Sequence, residues 1–348
     1  MKILIIKNLY LLLFFGVLII NSCIEDNIEP PFTGELNTTA ELLVYLESQT
    51  DFPNNSLAPA IVDAEEVNAN LNSYLLVDIR SNDEFIAGHI ENSLNVGLDT
   101  LYDFIEEKFN DGYLKIILVS KNGQSSAYFT SLLRLAGFNN VYTMSFGLAS
   151  WSAFFADEWL SILGNDPEVL FYTNEDKPKN NFTPLPEITF ENPQASYKER
   201  IRSRIKKIIS QGFLEEVHFR KALTIYPSDY LICYGKSTLL YFARRIGPLA
   251  ELGHNENAIF YNANPLFELR STESLQTLPG NKTIFIYDGT GELSACIAAY
   301  LRVLGYDAQT LSFGANQLFY SRMIEDPELM QFVFSSARIK NYPYVTGE

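Results

Sequence analysis

Hydrophobic residues along this chain gather in short unbroken runs rather than in strict alternation. "YLLV" (Tyr74–Val77), "IILV" (Ile116–Val119), "LICY" (Leu231–Tyr234) and "IFIY" (Ile284–Tyr287) are each bounded by polar or turn-forming residues. Runs of that length predict strands buried on both faces. Two of them are followed by stretches with a helical period, "SAYFTSLLRLAGF" (Ser126–Phe138) and "ACIAAYLRVLGY" (Ala295–Tyr306). Strands alternating with helices predict an α/β fold whose mainly parallel sheets are flanked by helices on both faces.

The same order of elements occurs twice. In the first unit "YLLVDIRS" precedes "EFIAGHIENSLNV", the strand "KIILV", the loop "SKNGQSS", a helix and "VYTMSFGLASW". In the second, "YLICYGKS" precedes "ELGHNENAIFYN", "TIFIY", "DGTGELS", a helix and "AQTLSFGANQLF". Gly123 and Gly137 are spaced as Gly291 and Gly305 are, and Ser-Phe-Gly recurs at Ser145–Gly147 and Ser312–Gly314. Between the units lies a pattern-free stretch with Pro167, Pro178, Pro184, Pro186 and Pro193. This predicts two domains, 41–165 and 195–335, joined by a linker at 166–194 and followed by a tail at 336–348.

The first residues read as an address rather than as fold. Lys2 and Lys7 lead into "LYLLLFFGVLII" (Leu9–Ile20), right in length for a signal peptide and short for a membrane span. "INSC" (Ile20–Cys23) resembles a bacterial lipobox, which implies cleavage after residue 22 and lipidation of Cys23. Residues 23–40, acidic and with Pro30-Pro31, then read as a tether. The expectation is an exported lipoprotein held to a membrane of the cell envelope, on its periplasmic or surface face. The alternative is an uncleaved N-terminal anchor in which Cys23 is incidental.

Composition narrows the functions. With 47% apolar and 20% charged residues the chain can bury real cores, and a net charge of −16 argues against a nucleic-acid partner. No Cys-x-x-Cys or His-x-x-x-His spacing suggests a metal site, and no cofactor is expected. Cys233 and Cys296 lie in apolar runs, as buried thiols or as the halves of a disulfide.

The first unit resembles the rhodanese homology domain. The likeness is carried by Asp78 and Arg80 at a strand end, Glu84-Phe85, Gly88-His89-Ile90, Gly123, Ala136-Gly137-Phe138, and Gly147 followed by Trp151. The second unit is more worn. Tyr234 and Lys236 stand for Asp78 and Arg80, Gly253-His254 keeps the turn, and no Trp follows Gly314. The resemblance implies a sulfurtransferase whose loop cysteine, held as thiolate by amides and a helix N-terminus, accepts a sulfane sulfur. Here the cysteine positions hold Ser120 and Asp288, and the loop-ending arginines are Ser125 and Leu293. Oxygen forms no persulfide, so the expectation is a pseudoenzyme with a binding or scaffolding role. Lys121, Asn122, Gly123, Gln124 and Ser125, with Gly289, Thr290, Gly291, Glu292 and Leu293, are expected to form cradles for a small anion or a partner protein's side chain.

Other readings stand beside it. A different registration makes Cys233 in "CYGKST" the loop nucleophile, giving residual sulfurtransferase or sulfur-carrier activity. Ser120 could serve a hydrolase if His89, His218 or His254 reached it as base, though no nucleophile-elbow motif supports this. Asp288 suggests an aspartyl-phosphate, without the companion ligands that chemistry needs, or an N-cap for the next helix. The stretch Ala195–Gly212 predicts a basic amphipathic helix that contacts anionic headgroups or an acidic partner, or packs between domains through Ile201, Ile205, Ile208 and Ile209.

Overall fold

The apolar runs form the centres of two parallel sheets in the computed structural model, which describes residues 38–49, 51–165, 172–214, 218–219, 230–242, 253–263 and 268–347. The first sheet comprises β1 (Ile61–Val62), β2 (Tyr74–Asp78), β3 (Leu94–Asn95), β4 (Lys115–Val119) and β5 (Val141–Met144), in the order β1-β5-β4-β2-β3. The remaining strands are β6 (Tyr172–Thr173), β7 (His218–Phe219), β8 (Tyr230–Gly235), β9 (His254–Asn255), β10 (Ala258–Asn262), β11 (Ile284–Tyr287) and β12 (Ala308–Leu311). Of these, β6 and β9 pair antiparallel, and the other five form the second sheet, β10-β8-β11-β12-β7. Followed from the edge at β7, it has the order of the first sheet: first, fifth, fourth, second, third. Every pairing in both sheets is parallel. The α/β class read from the sequence holds.

Five longer helices cover the sheets: α1 (Thr38–Gln49), α2 (Leu98–Lys108), α3 (Gln124–Leu135), α4 (Tyr197–Gln211) and α5 (Glu292–Val303). The equivalent helices α3 and α5 pack against each other, and Ser131 Oγ donates to the Cys296 carbonyl at 2.9 Å. All of α3 except Ser125, and all of α5 except Arg302, is buried. A helix buried on every side cannot show a clean polar stripe. From Leu36 onward the chain is one compact unit, and one hydrophobic core runs from Val77 and Ile116 of the first sheet to Ile232 and Ile284 of the second.

That continuity corrects the boundaries. The tether was expected to reach residue 40, but α1 begins at Thr38, where the apolar spacing of Leu42, Leu43 and Leu46 permits a buried helical face. Residues 172–194 are more than a linker. Ile188 and Phe190 are buried in the shared core, and Thr183 Oγ1 donates to the Leu278 carbonyl at 2.7 Å. The tail is docked: Lys340 N donates to Ser150 O and Tyr342 N to Trp151 O, each at 2.9 Å, and Val345 bridges His89. In these segments isolated apolar residues are buried by docking on finished surfaces, so no period marks them in the sequence.

The basic helix is α4. Its isoleucines are buried, while Arg202 lies 2.5 Å from Glu106, Lys206 2.8 Å from Asp103 and Lys207 3.2 Å from Glu191. Its charges face the chain's own carboxylates, as the packing alternative expected, and such exposed pairs contribute little stability. Among the described residues no helix is long and apolar enough to cross a membrane. The signal segment, Cys23 and the tether to residue 37 lie outside the described residues.

Candidate functional site

Each loop turns its amides inward. After β4, Ser120 is 2% exposed, and its Oγ accepts from Gly123 N at 3.1 Å and Ser126 N at 3.4 Å. Ser126 Oγ lies 2.9 Å from Ser120 Oγ and 2.6 Å from Thr143 Oγ1. After β11, Asp288 is 3% exposed. Its Oδ1 accepts from Gly291 N at 2.7 Å and Ser294 Oγ at 2.8 Å, and its Oδ2 from Thr290 N at 3.2 Å. Ser294 Oγ in turn lies 2.5 Å from Thr310 Oγ1. The amides expected to cradle an external anion are therefore directed at the loop's own side chain, because an oxygen one bond from the backbone reaches the same focus. Burial raises the Asp288 carboxyl above its usual range, opposed by those hydrogen bonds.

The repeated Ser-Phe-Gly closes each loop. Phe146 and Phe313 have φ of 57° and 61°. At Gly147, φ 57° and ψ −149°, a Cβ would meet the Ser120 carbonyl oxygen and the Gly123 amide. Only glycine fits that conformation and that contact. The turn presents Leu148 N to Ser120 O at 2.9 Å, and Ala315 N to Asp288 O at 2.8 Å.

The two loops also clasp each other. Gln124 Oε1 accepts from Phe313 N at 2.9 Å, and Glu292 Oε1 accepts from Phe146 N at 2.6 Å. Burial pushes the Glu292 carboxyl up to about 8, with the Phe146 amide and the Thr290 hydroxyl opposing. Trp159 fills the gap between the turns. Its ring centroid is 5.3 Å from Phe146, 4.8 Å from Phe313 and 4.9 Å from Phe334, and its Nε1 donates to Asn122 O at 3.1 Å.

The remaining cradle residues serve the fold. Lys121 lies on the surface, 3.5 Å from Glu158, and Asn122 Oδ1 accepts from Gln124 N at 3.2 Å. Ser125 is half-buried, and the Gly289 carbonyl accepts from Asn316 Nδ2 at 2.8 Å. Leu293, with Asp288 and Glu292, lines a cavity of about 240 Å³ over the second loop; Ser120 does not line it.

The rhodanese-like domain family matches residues 63–154. Over 95 residues the chain is 34% identical to the thiosulfate sulfurtransferase GlpE of Ectopseudomonas mendocina, covering 27% of this chain and 84% of that one. The chain belongs to the rhodanese family. A second GlpE, of Pseudoalteromonas translucida, is 32% identical over 98 residues, covering 28% of this chain and 85% of that one. A solved thiosulfate sulfurtransferase of Pseudomonas aeruginosa is 14% identical with a TM-score of 0.29, covering 90% of this chain and 49% of that one.

Within this rhodanese-family chain neither described thiol reaches a loop. Cys233 lies inside β8 between β10 and β11, and Cys296 inside α5; both are free and fully buried. Burial pushes each thiol up to about 12, so neither is a ready nucleophile. The registration that made Cys233 the loop residue is corrected, since a strand centre offers no loop amides to a thiolate. The disulfide alternative fails as well, for both sulfurs are unbridged.

Among the described residues no histidine is hydrogen-bonded to Ser120 as a base. His89 Nδ1 donates to Phe85 O at 2.9 Å; His254 lies 2.8 Å from Tyr241 O and 3.1 Å from Glu175 O; the side chain of His218 lies outside the described residues. Asp288 does not occupy the N-cap position, which is Gly291, yet its carboxylate accepts from Gly291 N and from Ser294 Oγ in the first turn of α5. Among the described residues no group of three His, Cys, Asp or Glu could hold a metal ion. The sequence reading missed Ser126, Ser294, Thr143, Thr310 and Trp159. The repeat held the signal for the first four, which recur at matching positions after Gly123 and Gly291 and before each Ser-Phe-Gly.

Proposed function

We propose that this chain is a non-catalytic tandem of two rhodanese-like units, tethered to the cell envelope through a lipid on Cys23 and serving as a binding or scaffolding protein. One observation carries the reading: at the focus of each loop, where the family would hold sulfur, an oxygen of Ser120 or Asp288 already takes the amides. A persulfide needs a thiolate there, and neither buried cysteine can supply one.

Thiosulfate-to-cyanide transfer by the purified chain is expected to stay at the reagent blank, with Ser120→Ala no different. Turnover that disappears in Ser120→Ala would overturn the proposal. Two added thiols are expected to behave differently. Asp288→Cys, opening on the cavity beside Gly291 N and Thr290 N, should gain the mass of one sulfur from thiosulfate, its thiolate bonding the outer sulfur as sulfite leaves. Ser120→Cys, closed in beneath the turn at Phe146 and Gly147, should not. The anchor is tested by growth with labelled palmitate: incorporation is expected, and its persistence in Cys23→Ala would exclude lipidation at that residue.

A further inference from the structure

The cavity over the second loop differs in chemistry from the anion cradle that the family resemblance implied. Asp288 is buried and has no ion-pair partner among the described residues. An ionised carboxylate offers about four acceptor sites. Oδ1 takes Gly291 N and Ser294 Oγ, Oδ2 takes Thr290 N at 3.2 Å, and the Ser294 amide also acts on the carboxylate. With the loop amides occupied, an incoming anion meets a carboxylate first, whereas an incoming ammonium meets an acceptor of opposite charge.

The opposite charge is present in the same walls. Lys236 enters after β8 and Arg338 from the docked C-terminal segment. Lys236 Nζ donates to Ala58 O at 2.6 Å and carries two further protons. Arg338 commits Nε and Nη2 to the carbonyls of Val333, Met330 and Gln331, leaving Nη1 uncommitted among the described residues. Asp63 adds a second carboxylate to the lining, and Ile61, Leu240 and Phe332 supply part of its apolar surface. The volume, about 240 Å³, lies below the range of about 300–1,000 Å³ usual for drug-sized ligands.

We propose that this cavity binds a small zwitterion, a free amino acid, with its ammonium on Asp288 and its carboxylate toward Lys236 and Arg338. A lone cation would be opposed by Lys236 and Arg338, and a lone anion by Asp288 and Asp63; a ligand with both charges matches both signs of the walls. The inference rests on the non-catalytic reading in one respect, that Asp288 is a binding group rather than the remnant of a nucleophile.

Calorimetry of the full chain with each common L-amino acid is the test, followed by the decarboxylated amine and the deaminated acid of the best binder, and by thiosulfate. At least one amino acid is expected to bind, and each single-charge analogue to bind about tenfold more weakly or worse, a loss of about 1.4 kcal/mol. Asp288→Asn and Lys236→Met should each weaken binding by a similar factor. Lys236→Met leaves the loop untouched, and its unchanged thermal midpoint would exclude misfolding as the cause. The proposal is overturned if no amino acid binds, or if the deaminated acid or thiosulfate binds as well as the amino acid. That failure is separate from failure of the non-catalytic reading, which only sulfur turnover would produce.

Discussion

Replacing Trp159 with alanine is expected to lower the unfolding free energy by about 3–5 kcal/mol, the range for removing a fully buried large aromatic. Trp159 has no exposed surface and touches three aromatic rings: Phe146 from one Ser-Phe-Gly turn, Phe313 from the other, and Phe334 from the C-terminal segment. Its loss leaves a void where the two halves meet, and those two turns hold the loops closed. The indole also satisfies the Asn122 carbonyl. Trp159→Phe should therefore keep most of the packing and lose about 1 kcal/mol for that hydrogen bond. Urea unfolding of both variants checks this. A loss under about 1 kcal/mol for Trp159→Ala would mean that the indole does not hold the two turns together.

Glu292→Gln is expected to remove a pH dependence from stability. The Glu292 carboxyl is 1% exposed and is pushed up to about 8 from its usual 4.5. The folded chain therefore binds that proton more tightly than the unfolded chain does. Its contribution is most favourable below about pH 4.5, declines as pH rises toward 8, and is flat above, at a limiting slope of about 1.4 kcal/mol per pH unit. Glutamine keeps the geometry, as the equivalent Gln124 demonstrates with its acceptor on Phe313 N, and its amide could donate to Thr290 Oγ1 in place of the carboxyl proton. The variant and the natural chain should match near pH 5, with the variant more stable by a widening margin to pH 8. Parallel profiles across that window would mean that Glu292 is ionised throughout. Both halves would then be clasped by a charged rather than a neutral group.

The repeat, the mainly parallel sheets flanked by helices, and the absence of sulfur at Ser120 and Asp288 could all be read without coordinates. They depend on residues close in sequence: an apolar run, the loop after it, the helix period beyond. The glycines were legible as markers of the repeat, and the structure shows the positive φ that Gly123 and Gly147 adopt there. The docked segments were not. Ile188, Phe190 and Tyr342 are isolated apolar residues whose burial depends on a surface assembled from elsewhere.

By itself, then, the sequence determined the α/β class, the twofold repeat and the loss of the thiol, because each is a local property of the chain. Only the tertiary structure decided that the loop amides close on Ser120 and Asp288, that Gln124 and Glu292 reach across to the other half, and that the second loop opens onto a cavity while Ser120 stays sealed. The hydrogen bonds from Gln124 to Phe313 and from Glu292 to Phe146 join residues far apart in sequence. Such pairings are fixed by how two finished sheets and their helices pack, and no local pattern encodes them.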